Sequence, residues 1–234
     1  MTDENKTPRP APAGRVAEVA GVLVEIWSDI VCPWCYIGKR RFETALAAFE
    51  HADDVEVRWR SFQLDPSFPR GTAEPVYDSL ATKFGGSREQ VRAMTAQVAA
   101  LAAAEGLHYD FDRAVSVNTF DAHRLIHLAQ AHGLGPQAHE RLMRANLIEG
   151  VTLDTPALVA LGAEIGVPAA AAERVLAGDD YTADVQDDIR QARRYGATGV
   201  PFFVLNSAYG VSGAQSAEVF GQALRTAYEA APAR

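Results

Sequence analysis

The chain of 234 residues carries a net charge of −8 at pH 7, with 48% hydrophobic and 22% charged residues. This composition is typical of an ordinary globular domain and excludes a collagen-like, a mostly disordered or a disulfide-dense chain. The acidic balance argues against nucleic acid as a partner, because phosphate recognition needs a cationic surface. The longest apolar run is far shorter than the roughly 20 residues that span a bilayer, so we expect no membrane partner.

The first 20 residues predict a disordered tail, because they contain three prolines and little apolar character. They lack the basic start and the apolar stretch of a secretory signal. We therefore expect a cytoplasmic protein, in which a cysteine pair is more often catalytic, redox-active or metal-binding than structural.

The chain after this tail predicts a β-α-β unit. Residues 22–27 form a short, β-branched strand, and residues 55–60 alternate between apolar and charged residues as a half-buried strand does. Between them, a helix opens at Cys-Pro-Trp-Cys and runs to about Phe49, with Trp34 and Phe42 on its apolar face. The intervening helix favours a parallel pairing of the two strands.

The middle of the chain predicts helices and no strand of comparable strength. A proline-rich connector opens it, and Ser87 with Gln90 matches a capping box. Helices bounded by Gly, Pro or Asp are predicted at 87–106, 119–132, 136–149, 154–165 and 168–177.

The end of the chain predicts the remaining core elements. A helix at 182–195 precedes strands at 201–205 and 209–212, which have hairpin spacing, and an amphipathic helix follows. The order β-α-β, helical block, α-β-β-α favours an insertion into one continuous sheet. We therefore divide the chain into the tail 1–20, a discontinuous α/β core of 21–66 and 182–234, and a helical insertion of 67–181.

The two cysteines, Cys32 and Cys35, carry the strongest chemical signal. At the start of a helix, the free N–H groups favour the thiolate of the first cysteine. We expect Cys32 to reach solvent, whereas Cys35, one turn further, is expected to be buried and to resolve mixed disulfides. An inert core pair and a zinc site are the alternatives. Zinc would need further ligands, and the nearest matching spacing is the distant pair His123 and His127.

Four segments resemble the DsbA-like thioredoxin-fold family, and within it the FrnE-type subgroup. That subgroup is related to 2-hydroxychromene-2-carboxylate isomerases and kappa-class glutathione transferases. The segments are VLVEIWSDIVCPWCYIGKRRFETALAAF at 22–49, WRSFQLDP at 59–66, NTFDAHR at 118–124, and TGVPFFV at 198–204 with VSGAQ at 211–215. Together they extend the resemblance over nearly all of residues 22–230.

The resemblance implies a thioredoxin fold with a large α-helical insertion, in which Cys32 attacks and Cys35 resolves. It also implies a cis peptide at Val200–Pro201 that faces the cysteines, although spacing alone favours an ordinary loop proline there. The substrate-binding residues that it implies are Pro33, Trp34, Asn118, Arg124, Val200 and Pro201.

Both cysteines are present here, whereas the related isomerases and transferases generally carry serine at the attacking position and bind glutathione. We therefore predict a thiol–disulfide oxidoreductase, with no resident cofactor or metal and with glutathione as a candidate co-substrate. Its substrate would be a protein or small molecule that contains a disulfide or a thiol. The alternatives are a glutathione-dependent isomerase or transferase acting on an aromatic small molecule, and a non-catalytic, chaperone-like peptide-binding module. The predicted assembly is a monomer or a homodimer.

Overall fold

The computed structural model describes residues 21–231, so the tail predicted at 1–20 lies outside the described residues. The strands are β1 (Val22–Ser28), β2 (Val55–Ser61), β3 (Ala73–Pro75), β4 (Val115–Val117), β5 (Phe202–Leu205) and β6 (Tyr209–Ser212). The helices are α1 (Pro33–Ala47), α2 (Val76–Phe84), α3 (Arg88–Ala104), α4 (Phe120–Ala131), α5 (Gly135–Leu147), α6 (Thr155–Glu164), α7 (Ala169–Ala177), α8 (Thr182–Arg194) and α9 (Ala217–Glu229).

A four-stranded mixed sheet in the order β2-β1-β5-β6 forms the centre of the molecule. β1 pairs in parallel with β2 and antiparallel with β5, which in turn pairs antiparallel with β6. The parallel pairing and the hairpin predicted from the sequence are thereby confirmed. Because β5 runs opposite to β1 and β2, its first residues meet the last residues of β1 and β2 at the same edge of the sheet.

The two faces of the sheet are covered by different helices. Ile26 and Phe203 point to the face that α1 and α9 cover, where they share a core cluster with Phe42 and Phe220. The neighbouring Trp27 points to the opposite face, as the two-residue period of a strand requires. There it packs in a cluster with Ala192 of α8 and Phe202.

The helices α2 to α7 lie between β2 and α8 in the chain, and the largest core cluster joins α3 to α7 to the start of α1. Ile30, Cys35 and Ile37 belong to this cluster together with Leu125 of α4 and Leu142 of α5. The predicted capping box is confirmed, since the Ser87 hydroxyl accepts a bond from the Gln90 N–H and the Gln90 side chain accepts one from the Ser87 N–H. The predicted α/β class with a helical insertion is confirmed.

Three expectations about the elements are wrong. The helical block contains the two-stranded sheet of β3 and β4, whose three-residue strands are too short to show an alternating pattern. It also contains α2, which begins directly after Pro75 and was not predicted. Trp34 is 40% exposed instead of lying on the apolar face of α1. It is the second residue of α1, and the buried residues of this helix begin after it, at Cys35.

Among residues 21–231, no helix has the length and apolar character needed to cross a bilayer.

Candidate active site

The Cys-Pro-Trp-Cys motif lies at the edge of the sheet where β1 ends. After Ser28 the chain makes a tight turn, in which the Cys32 N–H donates to the Asp29 carbonyl at 3.2 Å. Cys32 then caps α1 with an extended backbone, and Pro33 occupies the first helical position. Proline is favoured there because its missing N–H would have no partner in the helix. The predicted helix entrance is confirmed.

Both cysteines are free thiols and both are buried, with exposed fractions of 3% for Cys32 and 1% for Cys35. The expectation that Cys32 reaches solvent is therefore wrong. The reason is the chain at Val200, which packs on the motif so that the Cys32 thiol donates to the Val200 carbonyl at 3.7 Å.

The environment of Cys35 keeps it protonated. Burial raises the pKa of the Cys35 thiol well above its ordinary value, and the neighbouring Cys32 thiol raises it further. The Asp29 N–H and the Ser28 hydroxyl lie beside the Cys35 sulfur and favour its thiolate, but burial outweighs them. At neutral pH, Cys35 is therefore a proton donor that must lose its proton before it can attack a disulfide.

The Val200–Pro201 peptide bond is cis, as the resemblance implied. Trp27 pairs with Phe202 in the sheet, so Pro201 lies beside the end of β1 and close to the motif. On the other side, α1 approaches Pro201 at Gly38, where an added Cβ would be 2.9 Å from Pro201 Cγ. The absence of a side chain at Gly38 therefore allows this close packing of α1 against the cis-proline segment.

Tyr109 forms a hydrogen bond with the motif, and no pattern in the sequence predicts this contact. It follows α3, and its hydroxyl donates to the Pro33 carbonyl at 2.7 Å. Its ring stacks on that of Tyr36 in α1 at a centroid distance of 6.2 Å. Burial is the main reason that the pKa of the Tyr109 hydroxyl is raised, so this hydroxyl stays a donor at neutral pH.

Asp29 is a second residue that the sequence reasoning missed. It is fully buried, and its carboxylate accepts bonds from the Ile30 N–H and the Leu64 N–H, both at 2.8 Å. The Nε2 atom of the fully buried His123 lies 3.2 Å from the same carboxylate. The one available signal was an acidic residue in an apolar segment directly before the motif.

The histidines weighed as zinc ligands have separate partners. His123 faces Asp29, whereas the Nε2 atom of His127 lies 3.1 Å from the Asp188 carboxylate. Within the described part of the chain, no group of three or more His, Cys, Asp or Glu side chains could hold a metal ion.

Residues 23–225 match the model of the DSBA-like thioredoxin domain family. The chain belongs to this family.

Similar proteins agree with this assignment. A solved structure described as a probable DsbA oxidoreductase from Streptomyces coelicolor is 47% identical, with a TM-score of 0.87 over 91% of this chain and 92% of that one. The uncharacterized protein YwbO of Bacillus subtilis is 29% identical over 211 residues, or 87% of this chain and 96% of YwbO. The glutathione-bound structure of the cytosolic disulfide reductase DsbM from Pseudomonas aeruginosa shares the fold. It is 24% identical, with a TM-score of 0.58 over 87% of this chain and 98% of that one.

In this DSBA-like protein, the other predicted binding residues lie within the helical block. Asn118 accepts a bond from the Phe120 N–H at the start of α4, donates to the Phe68 carbonyl and lines a cavity of about 440 Å³. Arg124 is buried, and its guanidinium donates to the Asp121 carboxylate and to carbonyls at the end of α7. These contacts join α4 to α7, and substrate binding by Asn118 and Arg124 stays a prediction.

Proposed function

We propose that this DSBA-like protein is a thiol–disulfide oxidoreductase that works through Cys32 and Cys35. The observation that carries the proposal is the contrast between the two sulfurs at one helix entrance. Cys32 caps the helix and contacts the cis-proline segment at Val200. Cys35 lies deeper and is held as a thiol, because burial raises its pKa.

The reaction follows from this arrangement. The Cys32 thiolate attacks one sulfur of a substrate disulfide, and the other substrate sulfur leaves as a thiolate that takes up a proton. Cys35 then gives up its proton and attacks Cys32. The bond between Cys32 and the substrate breaks, and the second substrate thiol departs. The substrate has been reduced by two electrons, and the protein holds a Cys32–Cys35 disulfide.

Glutathione is the reductant that we propose for restoring the dithiol. Two glutathione molecules would supply the two electrons and leave as glutathione disulfide. The DsbM relative, named as a cytosolic disulfide reductase and solved with glutathione, supports both this co-substrate and a cytoplasmic setting. The substrates would be disulfides of proteins or of small molecules. Trp34 lies within the motif, and the Leu64 N–H donates to Asp29 shortly before it, so their exposed side chains offer an apolar contact to such substrates.

A turnover assay with glutathione and a small dialkyl disulfide tests the proposal, with glutathione disulfide formation followed through glutathione reductase. We expect the wild-type protein to accelerate the reaction. With Cys32→Ser, the rate should fall to that of the uncatalysed reaction in buffer. A Cys32→Ser protein that keeps the wild-type rate would contradict the proposal. Activity of that variant on an aromatic glutathione adduct would instead favour the isomerase alternative.

A further inference from the structure

The helix α3 carries two stripes of residues whose spacings alternate between four and three positions. The inner stripe packs into the protein and comprises Val91, Thr95, Val98 and Ala102. The outer stripe is exposed and comprises Gln90, Met94, Gln97, Leu101 and Ala104. This spacing is that of a helix seam which a second helix covers. Because every residue of the outer stripe is exposed, no element in the described part of the chain covers it.

The outer stripe lies in a stretch without charge. Residues 93–104 contain no Asp, Glu, Lys or Arg, although 22% of the chain is charged. Met94 and Leu101 are each 42% exposed, and with Phe84 of α2 they make up three of the six large apolar side chains exposed in the described chain. Depletion of charge and the presence of methionine are typical of the centre of a protein interface. The composition of the outer stripe therefore indicates a surface that a protein covers.

The order of residues along the outer stripe fits a second copy of the same chain. Met94 and Leu101 lie on either side of Gln97 and at nearly the same distance from it along the helix. A two-fold axis at Gln97 pairs Met94 of each copy with Leu101 of the other, in an antiparallel arrangement. The two Gln97 amides then meet at the axis. Because an amide both donates and accepts hydrogen bonds, this pair can satisfy itself.

We propose that the outer stripe of α3 is the contact surface of an antiparallel two-fold dimer of this protein. Charge favours this occupant, because two copies that each carry a net charge of −8 repel one another. They can come into contact most readily through a face that brings no charge with it. The exposed Ala93 and Ala100 precede Met94 and Leu101, and their small side chains allow the two helix axes to approach closely.

The size of the outer stripe determines how tightly the dimer binds. At about 1.5 Å per residue, Gln90 and Ala104 are about 21 Å apart along a helix that is about 10 Å wide with its side chains. The contact therefore buries roughly 200–400 Å² on each copy, less than the about 800 Å² per partner of a standard stable interface. We expect a weak dimer with a dissociation constant in the high micromolar range.

Sedimentation equilibrium of the full-length protein, from about 10 µM to about 1 mM, tests the proposal. The mean mass of the wild-type protein should rise with concentration from that of one chain towards that of two. Leu101→Glu should weaken the dimer by at least about 100-fold, because the two-fold axis places the new charge in the contact twice. Val219→Glu in α9 is the matched control, since Val219 is 41% exposed on a different helix, and it should dimerise as the wild type does.

A pair of compensating charges tests the antiparallel arrangement itself. Met94→Lys alone should also weaken the dimer. In the double variant Met94→Lys/Leu101→Glu, each new lysine faces the new glutamate of the second copy, so the dimer should be stronger than in either single variant. In a parallel pair of helices, like charges would face each other and the double variant would dimerise least.

Three results would overturn the inference. The first is a wild-type protein that stays monomeric at every concentration, which would favour a different protein as the occupant of the outer stripe. The second is a dimer that Leu101→Glu leaves as strong as before, or that Val219→Glu disrupts equally, because the contact would then lie elsewhere. The third is a double variant that dimerises less than both single variants. The proposed thiol–disulfide activity does not depend on any of these results.

Discussion

At the scale of single residues, packing gives the two cysteines of one short motif different environments. The Cys32 thiol donates a hydrogen bond to the Val200 carbonyl, whereas burial raises the pKa of the Cys35 thiol. The position of the pair at the start of a helix predicts that Cys32 attacks and Cys35 resolves, and these roles stay a prediction. It could not predict the buried Asp29, whose partners Leu64 and His123 are 35 and 94 positions away in the chain. Contacts at such separations depend on the fold, and no local pattern contains them.

Gly38 is predicted to be required for the close packing of α1 against the cis-proline segment. In Gly38→Ala, the new Cβ would be 2.9 Å from Pro201 Cγ and 3.4 Å from Ala214 Cα, so α1 or the cis-proline segment must move. Overpacking of this kind costs about 1–3 kcal/mol. We expect a decrease of that size in the free energy of unfolding, measured with urea, and slower reaction of Cys32.

Gly221→Ala in α9 is the matched control for this substitution. The nearest heavy atom to its added Cβ is the tip of the flexible Arg225 side chain, at 3.6 Å. Alanine in a helix is then favoured over glycine by about 0.5–1 kcal/mol. A Gly38→Ala protein as stable as Gly221→Ala would refute the close-packing argument.

At the scale of elements, a cluster of charges joins α1 to α5. The Glu140 carboxylate of α5 accepts bonds from Tyr36 at 2.5 Å, from Lys39 at 2.6 Å and from Arg40. Lys39 is buried, so Glu140 neutralises a charge that would otherwise be costly in the interior. This cluster connects the helix that carries the cysteines to the helical block.

Glu140→Gln is predicted to weaken this connection at neutral pH. Burial alone would raise the pKa of Glu140, but the bonds from Arg40, Lys39 and Tyr36 outweigh it and lower the pKa from 4.5 to about 2. The stabilisation is therefore present above pH 4.5 and is lost as the pH falls towards 2. We expect the free energy of unfolding of the variant at pH 7 to be about 1.5–3 kcal/mol lower than that of the wild-type protein. This difference should decrease as the pH falls.

Asp187→Asn provides a comparison at an exposed ion pair. Asp187 and Arg190 of α8 have side chains that are more than half exposed. Loss of such a pair changes stability by about 0–1 kcal/mol. The loss in the free energy of unfolding, measured with urea, should be larger for Glu140→Gln than for Asp187→Asn. If it were no larger, or did not depend on pH between 2 and 4.5, the cluster would not connect α1 and α5 as described.

At the scale of the whole molecule, the order of helices and strands could be predicted from the sequence, whereas the contacts between distant segments could not. Hydrophobic periods and caps such as Ser87 with Gln90 act over a few residues, so the helices α3 to α9 were predicted. The pairing of β3 with β4 joins segments about 40 residues apart through strands of three residues. The hydrogen bond between the Cys32 thiol and the Val200 carbonyl joins residues 168 positions apart in the sequence. Both features follow only from the assembled fold.

The central claim is that Cys32 attacks and Cys35 resolves, and intact-protein mass measurement after exposure to glutathione disulfide tests it most directly. We expect Cys35→Ser to accumulate one glutathione adduct on Cys32, because nothing resolves it. The wild-type protein should end as the internal disulfide without an adduct, and Cys32→Ser should stay unmodified, because Cys35 is buried and protonated. An adduct that forms on Cys32→Ser as readily as on Cys35→Ser, or that persists on the wild-type protein, would contradict the claim.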